Sequence, residues 1–387
     1  MSVPRPGSTP TSAQSSTGQP PKRPLNVRAL GVQFVVLVVA LALLAWLAHN
    51  AASNLAARNI ASGFSFLKDT AGFSISEGVV SYETGDTYLR AFMVGMVNTL
   101  RAAIPAVLLA SLFGFIAGIA QISANALVRT IARTYVDVVR NVPLLVQVLM
   151  WYILVTEGLP SSDNPLIFGD VAFLSKGGLA VAAPELSTTL AIMLVAITIA
   201  LPVLAWRVKP RRTRALGMAV ALVACSTAWV VLPSDWSRPA LGNFGVSGGA
   251  ALSPEWLALV CALTIYAGAY CAEIVRSGIQ AVHRGQWEAA HALGLTRTQT
   301  LMRVIVPQSL RVIVPPYTSV IMNTTKNSSL AVAIGYPDIV SISTTAMSQN
   351  GQSIECVAVI AAVYLTLNLV TTLLMSIVNA RAQLKER

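Results

Sequence analysis

Side chains able to do covalent or metal chemistry are few and badly spaced for it. His49, His283 and His291 are scattered, with no His-x-x-x-His pair and no carboxylate at metal-ligand spacing. Cys225, Cys261, Cys271 and Cys356 form no Cys-x-x-Cys pair; all lie in or beside apolar stretches, where a lone cysteine serves as a small packing residue. The chain has no Gly-x-x-x-x-Gly-Lys-Ser/Thr phosphate loop, no Gly-x-Ser-x-Gly and no His-Glu-x-x-His. The expectation is a non-catalytic protein without a cofactor; if it moves a solute uphill, the ATP is bound by another subunit. What stands out is the polar stretch Gly285-Gln286-Trp287-Glu288-Ala289-Ala290-His291-Ala292-Leu293-Gly294, followed by Thr296-Arg297-Thr298-Gln299. It reads as a short helix with Glu288 in its first turn, where the helix dipole favours an anion, and with Gly294 as its stop. A second helix then opens with capping-box spacing and runs into an apolar span. Ala289 and Ala290 would form a small-residue surface that another protein could approach closely. From these residues alone, an ordinary helix lying on a bilayer fits equally well.

The elements that must position this loop follow from composition. Of 387 residues 55% are hydrophobic and 11% charged, with mean hydropathy +0.65, against about 25% charged in soluble domains. That balance implies an all-α polytopic membrane protein. Apolar runs long enough to cross about 30 Å of hydrocarbon occupy 31–48, 102–122, 142–156, 186–206, 215–232, 256–274, 304–322 and 356–378, about eight spans. The run at 142–156 is short, and an amphipathic stretch from Val128 can extend it as one tilted helix. Residues 1–27, rich in Ser, Pro, Thr, Gln and Gly, read as a disordered tail. Residues 28–49 read as an uncleaved anchor and 50–90 as an external segment.

With the N-terminus placed inside and the spans alternating, 19 of the 27 Lys and Arg fall on the inner side. That asymmetry puts both termini in the cytoplasm and absorbs the net charge of +11 without nucleic acid. The basic stretch 206–214 is a topology anchor in this scheme, as is Arg101 at the outer start of its span.

Glu288-Ala289-Ala290, Gly294 and then Val304-Ile305-Val306-Pro307 resemble the EAA loop of binding-protein-dependent ABC importer permeases, with Val in place of the usual aliphatics before the proline. Further motifs resemble the family's polar amino-acid branch, the histidine, glutamine and glutamate permeases. They are Asn98-Thr99-Leu100, Arg140-Asn141-Val142-Pro143 with Gln147, Tyr270-x-Ala272-Glu273-Ile274-x-Arg276, and Asn323-Thr324-Thr325-Lys326-Asn327-Ser328. The anchor, the external segment and the inserted helix pair 186–232 resemble the larger permeases of general L-amino-acid importers of proteobacteria.

The resemblance implies a type I ABC importer permease core of five helices within 91–387, in a bacterial inner membrane. It implies partners: a cytoplasmic ABC ATPase dimer, a second permease subunit, and a periplasmic binding protein that delivers an L-amino acid such as glutamate, glutamine, aspartate or asparagine. Within the coupling loop, 281–303, Gly285, Gln286, Glu288, Ala289, Ala290 and Gly294 would engage the ATPase, and Pro307 would end the loop region. Candidates for the solute path are Arg311, Asn323, Thr324, Lys326, Asn327 and Ser328, with Arg311 an alternative partner for Glu273. Glu273, Arg276, Arg140 and Pro143 would be structural. An ion-coupled carrier or channel working without an ATPase is the competing expectation; it calls for an inverted repeat, which the sequence does not display.

Overall fold

Hydrocarbon cannot satisfy backbone amides, so a chain this apolar must pair them within each segment, and helices result. The computed structural model describes residues 27–57, 62–169, 171–185, 235–242 and 245–382, with isolated positions between 190 and 229. The chain divides into two units, Met1–Ser62 and Gly63–Arg387. In the first, helix α1 (Val27–Ala57) carries the apolar stretch Gly31–Leu47. Of the expected tail at 1–27, residues 1–26 lie outside the described residues and Val27 opens α1.

The second unit contains α2 (Tyr88–Ala120), α3 (Ala126–Asn141), α4 (Leu144–Gly158) and α5 (Pro254–Gln280). After these come α6 (Arg284–Ala292), α7 (Arg297–Thr300), a π-helical turn Leu301–Ile305 and α8 (Val306–Asn327). Helices α9 (Ile339–Asn350) and α10 (Ser353–Ala382) complete it. Among the described residues four helical stretches are long and apolar enough to cross a bilayer, and five if α3 and α4 form one span. One of the four runs unbroken from Arg297 to Ile334. The spans at 186–206 and 215–232 fall mostly outside the described residues.

Several expected boundaries move. Helix α2 begins at Tyr88, capped by Thr87, whose hydroxyl accepts the Arg90 N–H at 3.4 Å. Arg101 therefore sits well inside a helix, 3.6 Å from Glu77 in an ion pair, and does not mark the start of a span. Nor do α3 and α4 make one tilted helix: they meet at 106°. Pro143 has no N–H to continue the ladder, and the Gln147 side chain donates to the exposed carbonyls of Val139 (2.9 Å) and Val142 (3.0 Å). The bend is thus built from local residues.

Between α4 and α5 the chain forms short strands that the apolar pattern does not announce. Strands β1 (Leu166–Phe168), β2 (Ala172–Ser175), β3 (Gly178–Val181) and β4 (Ala183–Glu185) precede residues 186–232 in sequence; β5 (Asp235–Ser237), β6 (Ala240–Gly242), β7 (Gly245–Ser247) and β8 (Ala250–Leu252) follow them. They pair as an antiparallel sheet in the order β1-β2-β3-β8, a long-range antiparallel pair β4-β5, and the hairpin β6-β7.

The core centres on α2 against α5. A Cβ at Gly114 would lie 2.7 Å from the Gly268 carbonyl oxygen, and one at Gly118 2.7 Å from the Val275 Cβ. The Gly-x-x-x-Gly pair therefore closes an interface within this chain. The Asn98-Thr99 motif is spent on packing: Asn98 donates to the carbonyls of Glu77 (2.9 Å) and Pro337 (3.0 Å), and the Thr99 hydroxyl accepts the Ile339 N–H at 3.1 Å. Those bonds hold the turn that leads into α9.

Candidate functional site

Two polar places lie along a single helical column, one where it begins and one deeper in the span. The first is the loop 284–300. His283 starts α6 by accepting the Gly285 N–H on Nδ1 at 3.1 Å. A Cβ at residue 285 would sit 3.2 Å from that nitrogen, so glycine suits the position. Because α6 starts at Arg284, Glu288 lies beyond its first turn, contrary to expectation. The helix ends in a Schellman motif. Gly294 adopts φ +74°; its N–H donates to His291 O at 2.9 Å, and that of Leu295 to Ala290 O at 3.1 Å. Thr296 and Gln299 then form the expected capping box, with bonds of 3.3 and 3.0 Å.

Glu288, Ala289 and Gly294 are exposed, whereas Ala290 is 2% exposed. Ala290 is therefore an inward contact of the loop and not part of its open surface, because α6 folds back on α7 and the π-turn. The residue that replaces it is Leu293, 80% exposed at the tip. In the sequence Leu293 carries a signal of its own, a large aliphatic directly before the Gly294 stop in a polar stretch. The loop is tied to the spans by Trp287, which packs in a cluster with Val275, Ile279, Ile305 and Ile313, and by a 3.0 Å bond from Gln308 to Gln286. Pro307 sits at the first positions of α8, after the π-turn, inside a helix that continues. It does not end the loop.

The second place is a pocket of about 290 Å³ between α5 and α8, lined by Tyr266, Ala267 and Tyr270 on one side and Val320, Asn323, Thr324 and Asn327 on the other. The tyrosine rings lie 5.0 Å apart with hydroxyls 3.2 Å from each other. Arg140, from the last turn of α3, stands 5.1 Å over the Tyr270 ring, a cation–π contact. Thr324 spends its hydroxyl on Val320 O at 2.8 Å. The carboxamides of Asn323 and Asn327, one helical turn apart, make no hydrogen bond within the described protein and remain free to bind. Behind the pocket the Ser111 and Tyr317 hydroxyls are hydrogen-bonded, and Val107 and Cys271 fill the remaining space.

The pocket faces residues midway along α5, so Asn323 and its neighbours are deeper than the outer end of a span, where their position in the sequence had put them. Other candidates lie elsewhere. Arg311 is exposed, 12 residues and about 18 Å along the helix from Asn323. It does not meet Glu273, whose carboxylate is held by Arg276 through Nε at 3.1 Å and through a second bond from Nη2. Lys326 is exposed and without an ion pair; Ser328 is fully buried and donates to Thr325 O at 2.7 Å. Tyr266 was missed, since an aromatic within an apolar helix gives no sign of facing a cavity.

A helical membrane protein with a folded polar loop at the foot of a pocket-lining helix is arranged to conduct and to be moved. Residues 110–384 match the binding-protein-dependent transport system inner membrane component family, and the chain belongs to that family. Such a protein is a membrane-embedded permease that works with an ATPase and a binding protein. Across its length the chain is 40% identical to the putative amino-acid ABC transporter permease protein YhdX of Escherichia coli (strain K12), covering 94% of this chain and 96% of that one. Identity is 38% to the general L-amino acid transport system permease protein AapQ of Rhizobium johnstonii, covering 93% of both. It is 34% to the glutamate/glutamine/aspartate/asparagine transport system permease protein BztB of Rhodobacter capsulatus, covering 93% and 95%.

Proposed function

We propose that this chain is the translocating subunit of an ATP-driven importer of L-amino acids, moved by a separate ATPase through the loop 284–300. The observation that carries this reading is continuity: the capped loop feeds, through α7 and the π-turn, into the helix that bears Asn323 and Asn327. Displacement of the loop is thereby delivered to the pocket wall. Glu288, Ala289 and Leu293 would enter a groove on the ATPase, with Leu293 as anchor; Gly285, Gln286, Ala290 and Gly294 set the loop's shape, and Pro307 lies where it joins the span.

An amino acid carries at least two charges, and hydrocarbon charges several kcal/mol for an unpaired polar group. The free carboxamides of Asn323 and Asn327 and the tyrosine hydroxyls supply partners, with Thr324 shaping the wall. Substrates of the glutamate, glutamine, aspartate and asparagine class fit the functions named for the relatives. The chain itself performs no catalysis and holds no cofactor. An ATPase dimer engages the loop side, a second and different permease completes the path, and a binding protein docks at the opposite end. The excess of Lys and Arg on the loop side orients it, and both termini, to the cytoplasm of a bacterial inner membrane.

The test is uptake of labelled amino acids by proteoliposomes holding the complete complex. Uptake that depends on ATP and the binding protein, and that stops in Gly294→Val while the ATPase keeps turning over, is expected. Uptake by the permease without any ATPase would overturn the reading.

A further inference from the structure

A further pocket among the described residues takes no part in the function above. It is a groove of about 560 Å³ where the end of α2, the start of α3 and the loop segment α6–α7 come together. Its walls are apolar: Ile116, Ile119 and Val128 on one side, Trp287, Leu301 and Met302 on the other. Ile116 (57% exposed) and Met302 (55%) are open at its mouth. At one end two cations converge on a single turn. Arg129 donates to Ser123 O at 2.7 Å, and Arg297 donates to Ile122 O at 3.1 Å. Arg297 lines the groove and Arg129 stands beside it, bonded to the lining residue Ser123; no Asp or Glu lines it, and neither arginine forms an ion pair among the described residues.

Helix α3 sets the depth of this groove. It lies at 106° to α4, so with α4 crossing a bilayer α3 runs nearly in the membrane plane. Its faces agree: Leu127 and Ile131 are 69% and 61% exposed on one side, and Arg129 and Arg133 lie on another. An exposed aliphatic face beside an arginine face is the pattern of an interfacial helix. The groove next to its first turn therefore sits where acyl chains meet headgroups.

We propose that this groove binds one anionic phospholipid of the loop-side leaflet, its phosphate against Arg129 and Arg297 and an acyl chain along Ile116, Ile119 and Met302. The cations answer the phosphate, and basic pockets between helices at this level hold such headgroups. The apolar length answers the chain, which a free phosphate lacks. Because Arg297, Trp287 and Met302 belong to the loop and its exit, while Ile116, Ile119 and Val128 belong to α2 and α3, the lipid bridges the moving loop to the fixed core.

The experiment is native mass spectrometry of the whole transporter complex released from nanodiscs of mixed phosphatidylcholine and phosphatidylglycerol, with transport measured alongside. Wild type should retain phosphatidylglycerol in preference to phosphatidylcholine. Arg129→Gln and Arg297→Gln should each lower that retention about fivefold. Met302→Trp, at an exposed position, should lower it by filling the groove with both charges intact, which keeps the test open if an arginine variant misfolds. Arg284→Gln, an exposed cation outside the groove, should leave lipid retention unchanged. Retention unaffected by all three groove variants would overturn the proposal. So would absence of retained lipid in the wild-type complex, the outcome if the ATPase covers the groove, or displacement of the lipid by millimolar inorganic phosphate, which would mark an anion site only.

Discussion

The loop at 284–300 and the pocket between α5 and α8 belong to one helical column, yet they are assembled in opposite ways. In the loop, the bonds that set the shape join near neighbours: Gly285 to His283, Leu295 to Ala290, Thr296 to Gln299. The pocket brings Tyr270 against Val320 and Asn323, and Arg140 over Tyr270, across long stretches of chain. A locally encoded device keeps its form while the spans move, as a handle must. A site made by two helices changes whenever they shift, as a gated path must. Stiffness and responsiveness are thus divided between two stations on one helical column.

The comparison can be broken most forcefully at Gly294. A β-branched residue at φ +74° is strained by about 1–3 kcal/mol, so Gly294→Val should abolish coupled uptake with spans and ligand affinity intact; isothermal titration of the substrate beside transport checks both halves. Next in size, Asn323→Leu removes a free carboxamide from the pocket. It should raise the KM for uptake about tenfold or more, since an unmet polar group costs about 1–3 kcal/mol, with basal ATPase unchanged. Equal effects of these two variants on affinity and on coupling would end the division.

A change remote from both regions sharpens it. Asp338 caps α9 through the Ser341 N–H at 2.8 Å, and burial pushes its carboxyl up to about 7. The fold favours the neutral acid, so its contribution is fully present below about pH 4, the unfolded value, and is lost as pH climbs towards 7. Thermal unfolding from pH 4 to 8 should show that decline, and Asp338→Asn, which keeps a capping oxygen, should flatten it. Smaller still, His283→Ala removes the α6 cap and should cost about 1 kcal/mol of local stability, read by amide exchange across 284–292. Smallest of all, Lys326→Gln should leave KM within about twofold, as expected of an exposed, unpaired surface cation.

What could be read beforehand follows the same line. The membrane class, the capping box and the stop at Gly294 rest on composition and spacing of a few residues, and the structure agrees with them. The placing of Ala290, Arg101 and Arg311 rested on extrapolating a helix face or a span boundary; each moved when neighbouring elements packed differently. Tyr266 was invisible because a cavity-facing and a core-facing aromatic look alike in one sequence. The 106° bend runs against the single tilted helix expected from Val128 onward: Pro143 and Gln147 stand in the sequence, but the Gln147 side chain closes the break by bonding back to Val139 and Val142, which apolar run length does not register.

The π-helical turn Leu301–Ile305 has a bearing on how such a protein can change over generations. One residue more or less in a helix rotates everything beyond it by about 100°. Shortening that turn to ordinary α-helical form would spin Asn323 and Asn327 away from the tyrosines while leaving the loop as folded as before. The wide turn therefore acts as a phase adjuster, aligning a handle shaped for one partner with a pocket wall shaped for another cargo, so that each can be altered without re-deriving the other.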